Sequence, residues 1–531
     1  MRHAEASPTT SEGKRFGPFK RADLVLFVTL LLLMGYGVYA FVSCHDSRVL
    51  APVLLGGLCL VGIWAVVRFA RVGDFDFVAH MVFPVVLCAL CVTNAILFTP
   101  GSVPDEDFHY KKAYVVANLI MKDMDPLEMR TEDVVFNHDA KLFNGDVESA
   151  YWDELSHVEL HAAQDSHQKA ISETRSYEPS VDLPQLRLPA ALGIVIGKSL
   201  GLSGLVTFLL GRLLNALYAV ILIALAVRLA PAGKNALMAV ALLPMCLHLA
   251  GSYSYDAGIL GLALLTVALA LRLFYGKGQI SVGLMVGFVA STTLLAPCKL
   301  IYSLIGLLGV LVPTHRFKSR REALLFKAAV LLVPVVCTAF LWSARSGVLP
   351  MGGEEGALAS RGDAKGTYYT LGGIVTHPID SALFLLKTLA LRGPFYVVTM
   401  LGGYLGWFQK NIMAPVWLDA LLLVALLMGV VRATDDEQAM ARSLRIGMTV
   451  ISVLGILAAM MSMWLGWTFT SDEFINGVQG RYFLPYLPCM MLALRPRRLS
   501  IPRPLGYVVV MAFVSLDYLY LAYIFQSVVL A

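Results

Sequence analysis

Charge is what this chain has least of: 15% of its 531 residues are Asp, Glu, Lys or Arg, against 57% hydrophobic. A water-soluble fold cannot hide that much apolar surface. Soluble enzymes and nucleic-acid-binding modules are therefore excluded, and an integral membrane protein remains. Cysteine is scarce as well. Most of the eight, including Cys59, Cys88, Cys91, Cys246 and Cys337, lie inside apolar runs, which implies packing and no disulfide framework. The C-x-x-C pair Cys88 and Cys91 falls within one such run, where packing is favoured over redox or metal chemistry. There is no H-E-x-x-H motif, no low-complexity tract and no solenoid-type repeat. No small-residue cleavage site accompanies the basic segment 1–21 and the apolar run from Ala22 to Val42, so that run reads as an uncleaved first span.

What the chain has in abundance is apolar stretches of membrane-spanning length, about 20 residues each. They fall near residues 22–43, 50–68, 77–99, 203–228, 235–252, 256–273, 279–297, 300–313, 324–343, 414–431, 445–467, 482–494 and 505–528. The expected fold class is all-α integral membrane, with about 13 transmembrane helices. The stretches at 300–313 and 482–494 are short for a crossing. Charge placement tests the order. With the N-terminus inside, the loops Arg68–Arg71, Arg228–Lys234, Arg272–Lys277, Thr314–Lys327, Arg432–Arg445 and Arg495–Arg503 face the cytoplasm. All but the mixed-charge segment near Asp435 are basic, as the positive-inside rule requires. Two long segments, about 100–202 and 343–413, then lie outside. Within them, Leu183–Gly204 and Asp380–Trp407, the latter carrying Lys387 and Arg392, read as interfacial or re-entrant helices. The organisation is a cytoplasmic segment 1–21, two N-terminal helices over 22–76, and a membrane domain over 77–531.

The polar residues are few enough to weigh singly. "PDEDFH", Pro104–His109, follows an apolar run. Proline and acids suit the first turn of a helix, so a capping segment is one reading. If the helix continues, Asp105 and His109 share a face with Glu106 nearby, which suits an acid/base pair or half of a metal site; spacing alone does not choose. Asp256, in "GSYSYDAG", opens a span and is either a helix cap or a cavity acid. Lys299, in "CKLIY", either snorkels or binds a phosphate. Arg481, in "QGRYFLPYLP", enters a span from outside, and its fork matches a phosphate. Arg212 lies within an apolar run beside Asn215, so it must face protein or a polar cavity. Asp146 and Asp153 are further acids of the first outer segment. The topology sets most of these groups at one height. There, a carboxylate could take a proton from an acceptor hydroxyl while cations hold a departing phosphate.

"PDEDFHYKKAY" looks like the P-D-E-x-x-H motif of a bacterial membrane family known as domain of unknown function 2142. The stretch from Leu183 to Gly258 resembles that family's central signature, and "CKLIY", "THPIDSALFLLKTLALRGPFYVVTMLGGYLGW" and "QGRYFLPYLP" follow in the same order, covering roughly residues 75–530. The family in turn resembles the GT-C glycosyltransferases, multi-span enzymes that use polyprenyl-phosphate sugars and carry a catalytic acid in the first outer loop. The resemblance implies Asp105 as base, Glu106 as the competing choice and His109 in support. It also implies Lys299 and Arg481 at the donor phosphate, Asp256 lining the cavity, and Gln479, Tyr482 and Arg212 in the binding set. Two extra spans before the acidic loop depart from the simple GT-C layout, though two spans preserve its side.

The expected activity is therefore transfer of a sugar from a polyprenyl-phosphate donor to a cell-envelope glycan or lipid-linked acceptor. It would occur on the outer face of a bacterial cytoplasmic membrane, with inversion. No nucleic acid is expected as a partner, and a divalent metal could sit at the carboxylates although no complete ligand set is visible. The rival expectations are a transporter of lipid-linked glycans and a non-catalytic envelope assembly protein. A transporter calls for polar groups strung through the membrane depth.

Overall fold

The computed structural model describes residues 78–134, parts of 151–171, and 184–297, 299–346, 366–406, 413–432, 440–496 and 505–524. The basic segment 1–21, the two spans expected within 22–76, and Asp146 and Asp153 lie outside the described residues. The first helix, α1 (Phe83–Leu97), is preceded by one π turn at Val78–Val82. Then come α2 (Glu106–Met121), β1 (Glu128–Arg130), a single helical turn at Thr131–Val134, and β2 (His167–Lys169). Next are α3 (Leu188–Ser199), α4 (Gly204–Leu229), α5 (Lys234–Ala241), α6 (Pro244–Ala250), α7 (Asp256–Tyr275) and α8 (Val282–Leu295). A 3₁₀ helix at Leu300–Gly309 leads to α9 (Arg320–Ser346), α10 (Leu371–Thr376), α11 (Pro378–Leu401), α12 (Val416–Val430) and α13 (Arg442–Trp467). A second 3₁₀ helix, Gly480–Tyr486, runs into α14 (Leu487–Leu494), and α15 (Leu505–Ile524) follows.

Among the described residues, six helices are long and apolar enough to cross a membrane: Val78–Leu97, α4, α7, the Arg320–Leu341 part of α9, α11 and α13. The protein is a helical membrane protein, and its burial pattern fits a bilayer. In α7 94% of the apolar window is buried inside the protein, against 22% for α9 and 17% for α11, so α7 is the hub and the other two are rim helices. The exposed side chains of α9 and α11 include Leu324, Leu332, Val336, Phe340, Leu383 and Leu386. In water they would form a large apolar patch; in a bilayer they meet lipid.

Several expected spans take a different form. The run at 235–252 is two short helices, because Pro244 cannot continue α5: it lacks an N–H and its ring crowds the preceding turn. The run at 300–313 is a ten-residue 3₁₀ helix, and 482–494 begins as 3₁₀ with Pro485 inside it. Leu183–Gly204 contains α3, whose 12 residues are too few to span. The first long segment also carries a two-stranded antiparallel sheet pairing Glu128 with Lys169 and Arg130 with His167, an addition to the all-α expectation. Helix α11 is continuous over 24 residues. Its Phe384 packs on Trp464 near the end of α13, while Gly402, just past its last turn, lies against Pro244 and Met245 at the break between α5 and α6. Gly402 has φ 107°, a left-handed conformation that turns the chain toward α12. By length and composition α11 can cross a membrane, where the sequence suggested an interfacial or re-entrant helix.

The helices present two kinds of end. One set carries Arg228, Lys234, Arg272, Arg320, Arg442 and Arg495. The opposite set joins the end of α1, the start of α2, the start of α7, the end of α8 and the end of α13, and the polar side chains singled out above gather there. Close helix contact fixes this region. A Cβ on Gly193 of α3 would lie 2.5 Å from the Gly211 backbone nitrogen of α4, so these two helices meet backbone to backbone through small residues.

Candidate functional site

The site starts from an ion pair that is not part of it. Arg212 and Glu106 are both fully buried and pair in two places, Nε to Oε1 at 2.8 Å and Nη2 to Oε2 at 2.7 Å. Arg212 also donates to the carbonyls of Ala95, Phe98 and Thr99, so all five of its N–H donors are used. Those carbonyls lie at and just beyond the end of α1, where helical partners run out; that of Thr99 also accepts from the Ser102 N–H. Glu106 in turn accepts from the backbone N–H groups of Gly101 and Tyr253. One buried knot thus ties α1, α2, α4 and the Gly251–Tyr255 loop together. Asn215 completes it by donating to the carbonyls of Ser252 and Ser254. This geometry corrects two sequence expectations. Glu106 has no free oxygen facing a cavity and Arg212 no free donor, so both are architectural rather than a base and a substrate-binding group.

The knot leaves Asp105 as the acid that points elsewhere. Asp105 stands at the N-cap position of α2 in the left-handed region, φ 63°, which Asp tolerates better than most residues. Its carboxylate makes no capping bond; it accepts from Arg481 Nη2 at 2.9 Å, with the Asp105 side chain half exposed and the Arg481 side chain 3% exposed. The capping reading of PDEDFH is therefore not how this side chain is used. Arg481 retains two buried nitrogens, Nε and Nη1, without a hydrogen-bond partner among the described residues. Lys299 pairs with Asp256 at 3.1 Å and sits over three tyrosine rings, Tyr482 at 4.9 Å, Tyr255 at 5.2 Å and Tyr302 at 5.9 Å. This is a held cation rather than a snorkelling one, since such contacts are worth about 0.5–2 kcal/mol each.

His109 and a residue not singled out from the sequence complete the group. Arg187, just before α3, donates from Nη1 to His109 Nδ1 at 3.1 Å, and its guanidinium lies 5.2 Å from the Tyr255 ring. Arginine can only donate, so Nδ1 is the acceptor and the neutral ring carries its proton on Nε2. Tyr255 also packs edge-on against His109 at 4.8 Å. Two tyrosines therefore link three cations in order: Arg187, Tyr255, Lys299, Tyr482, Arg481, the last with its guanidinium 5.5 Å from the Tyr482 ring. Gln479, at the start of the same 3₁₀ helix as Arg481, has a buried Oε1 without a partner. Arg187 was visible in the sequence only as a cation interrupting "LPQLRLPAAL", between two prolines where a crossing helix would be apolar.

The electrostatics follow from this crowding. Among the described residues three cations, Arg187, Lys299 and Arg481, face two carboxylates, Asp105 and Asp256, an excess of one positive charge. Burial pushes the pKa of His109 well below its usual value, and the charges of Arg187, Arg481 and Lys299 push the same way. His109 is neutral at pH 7, with its proton on Nε2. The sign for stability is set by the unfolded state, where His titrates near 6.5. The contribution is fully present above that pH and is lost as pH falls below it, by up to about 1.4 kcal/mol per pH unit. Between pH 7.5 and 5 the thermal midpoint in detergent is expected to fall further for the native chain than for His109→Gln, which can still accept from Arg187. The cluster does not fit a resident divalent metal: Glu106 is closed off, the Nδ1 lone pair is engaged, and three cations crowd the acids. Among the described residues no three His, Cys, Asp or Glu side chains converge as ligands.

Two outer braces hold the walls. Asp133 accepts from Arg130 at 2.7 and 3.0 Å and from the Tyr114 hydroxyl at 2.6 Å, and Arg130 also reaches Thr207 on α4. Lys198 at the end of α3 donates to Asn118 and Asp123. Gly480 allows the Arg481 helix to sit against α11: a Cβ there would lie 2.4 Å from the Met400 backbone nitrogen and closer still to the Tyr396 carbonyl. Gly480→Ala is expected to cost about 1–3 kcal/mol through that backbone clash, read as a lowered unfolding midpoint.

Fold and site together define a polytopic helical membrane protein with a buried, cation-rich cluster at one end of its helices. The chain belongs to the predicted membrane protein family DUF2142, which matches residues 86–490 and so encloses Asp105, His109, Arg187, Asp256, Lys299 and Arg481. No curated protein and no solved structure matches the chain.

Proposed function

We propose that this protein is an integral membrane glycosyltransferase that moves a sugar from a polyprenyl-phosphate donor to a cell-envelope glycan or lipid-linked acceptor on the extracytoplasmic face. The observation that carries the reading is Arg481, buried, with Nη2 on Asp105 and two nitrogens, Nε and Nη1, without a partner among the described residues. Each of these charge-assisted N–H groups suits a phosphodiester oxygen. The sidedness rests on the arginine-rich opposite end, which the positive-inside rule assigns to the cytoplasm.

In this reading Asp105 takes the proton from the acceptor hydroxyl while that oxygen attacks the anomeric carbon from the face opposite the phosphate. The bond from the anomeric carbon to the phosphate oxygen breaks, and its electron pair leaves with the phosphate. Configuration is inverted. Charge stays balanced throughout. A phosphodiester with one negative charge meets a cluster of net charge plus one. When Asp105 becomes protonated the cluster is plus two, and the departing phosphate is a dianion. Arg481, Lys299 and the Nε2–H of His109 are fixed before reaction, so little reorganisation is needed as that charge develops. The test is release of free polyprenyl phosphate, followed by mass spectrometry, from purified protein supplied with lipid extract and an envelope fraction. Release from the native chain and its loss in Asp105→Asn supports the enzyme. No release from either sinks it.

A second reading, transport of a lipid-linked glycan, is favoured by one observation. Asp517 on α15 is buried, and neither carboxylate oxygen has a hydrogen-bond partner among the described residues; Asp419 on α12 has one such oxygen. Acids at that depth often mark a transport path. Flipping of a labelled lipid in proteoliposomes that depends on Asp517 and not on Asp105 would select transport.

A further inference from the structure

We infer that a groove on α13, at the arginine-rich end and away from the cluster above, binds the headgroup of an anionic phospholipid. The groove encloses about 520 Å³ and is lined by Arg442, Arg445, Ile446, Thr449 and Val450 of α13 and Ala493 of α14. The α13 positions recur at the three- and four-residue spacing of one helix face. Among the described residues no carboxylate lines the groove. Arg445 is fixed in place because its Nε donates to the Ala493 carbonyl at 2.8 Å, an oxygen near the end of α14 that lacks a helical partner. That bond leaves both Nη groups of Arg445 for a ligand.

The chemistry changes along the groove in the order a phospholipid changes. Two cations stand at its mouth. Ile446 and Val450 follow, 53% and 49% exposed, and Val453 and Leu457 continue the strip down α13 toward the middle of the helix. Ala493 of α14 forms the other bank. A phosphate on Arg442 and Arg445 would place acyl chains on this strip. Solvated surface arginines would need neither the pinned guanidinium nor the apolar continuation. Basic pockets between membrane helices on the cytoplasmic side are suited to anionic headgroups, each nearby cation adding about 1 kcal/mol.

The experiment uses the full chain, delipidated in detergent and titrated with phosphatidylglycerol or phosphatidylcholine, with bound lipid counted by native mass spectrometry. Expected is preference for phosphatidylglycerol, weakened about 5-fold by Arg442→Gln and about 30-fold by Arg442→Gln with Arg445→Gln. Val450→Trp, which keeps both arginines and fills the groove, is expected to abolish the preference. Arg320→Gln with Arg321→Gln removes equal charge at the same end and is expected to leave it intact. Equal binding of the two lipids overturns the inference. So does equal loss in the Arg320 and Arg321 control, indifference to Val450→Trp, or displacement of the lipid by millimolar inorganic phosphate.

Discussion

Asp105→Asn is expected to leave a folded protein and to lower polyprenyl-phosphate release by about 10²–10⁴-fold, the range for removing a positioned general base. The separation of the two effects is the point. The Asp105 side chain is half exposed and Asp256 remains as a second negative charge near the buried Arg481, so its neutralisation costs less than that of a fully buried pair. Asparagine keeps an oxygen for Arg481 Nη2 but cannot hold the acceptor's proton. Thermal unfolding in detergent checks the first half and mass spectrometry the second. A variant with native unfolding and native release would remove Asp105 from the reaction and leave the cluster as a binding site only.

The opposite pattern is expected one residue on. Glu106→Gln strips the charge from a fully buried pair and leaves the Arg212 guanidinium uncompensated, at a cost of about 3–5 kcal/mol. The damage should spread, because Arg212 also holds the end of α1 and Glu106 holds the loop that leads to Tyr255 and Asp256. Arg212→Lys is expected to be nearly as harmful, since a single ammonium cannot serve five acceptors in the fork geometry. Yield of monodisperse protein and its unfolding midpoint are the measurements. If Glu106→Gln folds like the native chain but loses activity, Glu106 returns as a candidate base.

Neighbouring acids with opposite fates show where sequence reasoning ends. Asp105 and Glu106 follow Pro104 before the same helix, and nothing local ranks one above the other. The ranking comes from backbone geometry: the left-handed conformation at Asp105 sends its side chain to Arg481, 376 positions away, while Glu106 turns inward to Arg212. Arg187 had a faint local signal, a cation between prolines, but its role depends on His109 lying across the gap between α2 and α3. The expected span at 235–252 carried its own warning in Pro244, whereas the run at 300–313 was marked only by its shortness and forms the 3₁₀ helix Leu300–Gly309.

By itself the sequence determined that the chain is a helical membrane protein, roughly where its long helices run, and that the acids and a few cations singled out fall at one end while the basic loops fall at the other. Hydropathy and charge are local properties summed over about 20 residues, and they survive any packing of the helices. Only the tertiary structure decided which acid meets which cation, that Glu106 and Arg212 are spent on holding the walls, and that Arg481 keeps two buried donors open. Those outcomes depend on distances between side chains up to hundreds of residues apart, and pairing inside a low-dielectric interior is decided by fractions of an ångström that no local pattern records.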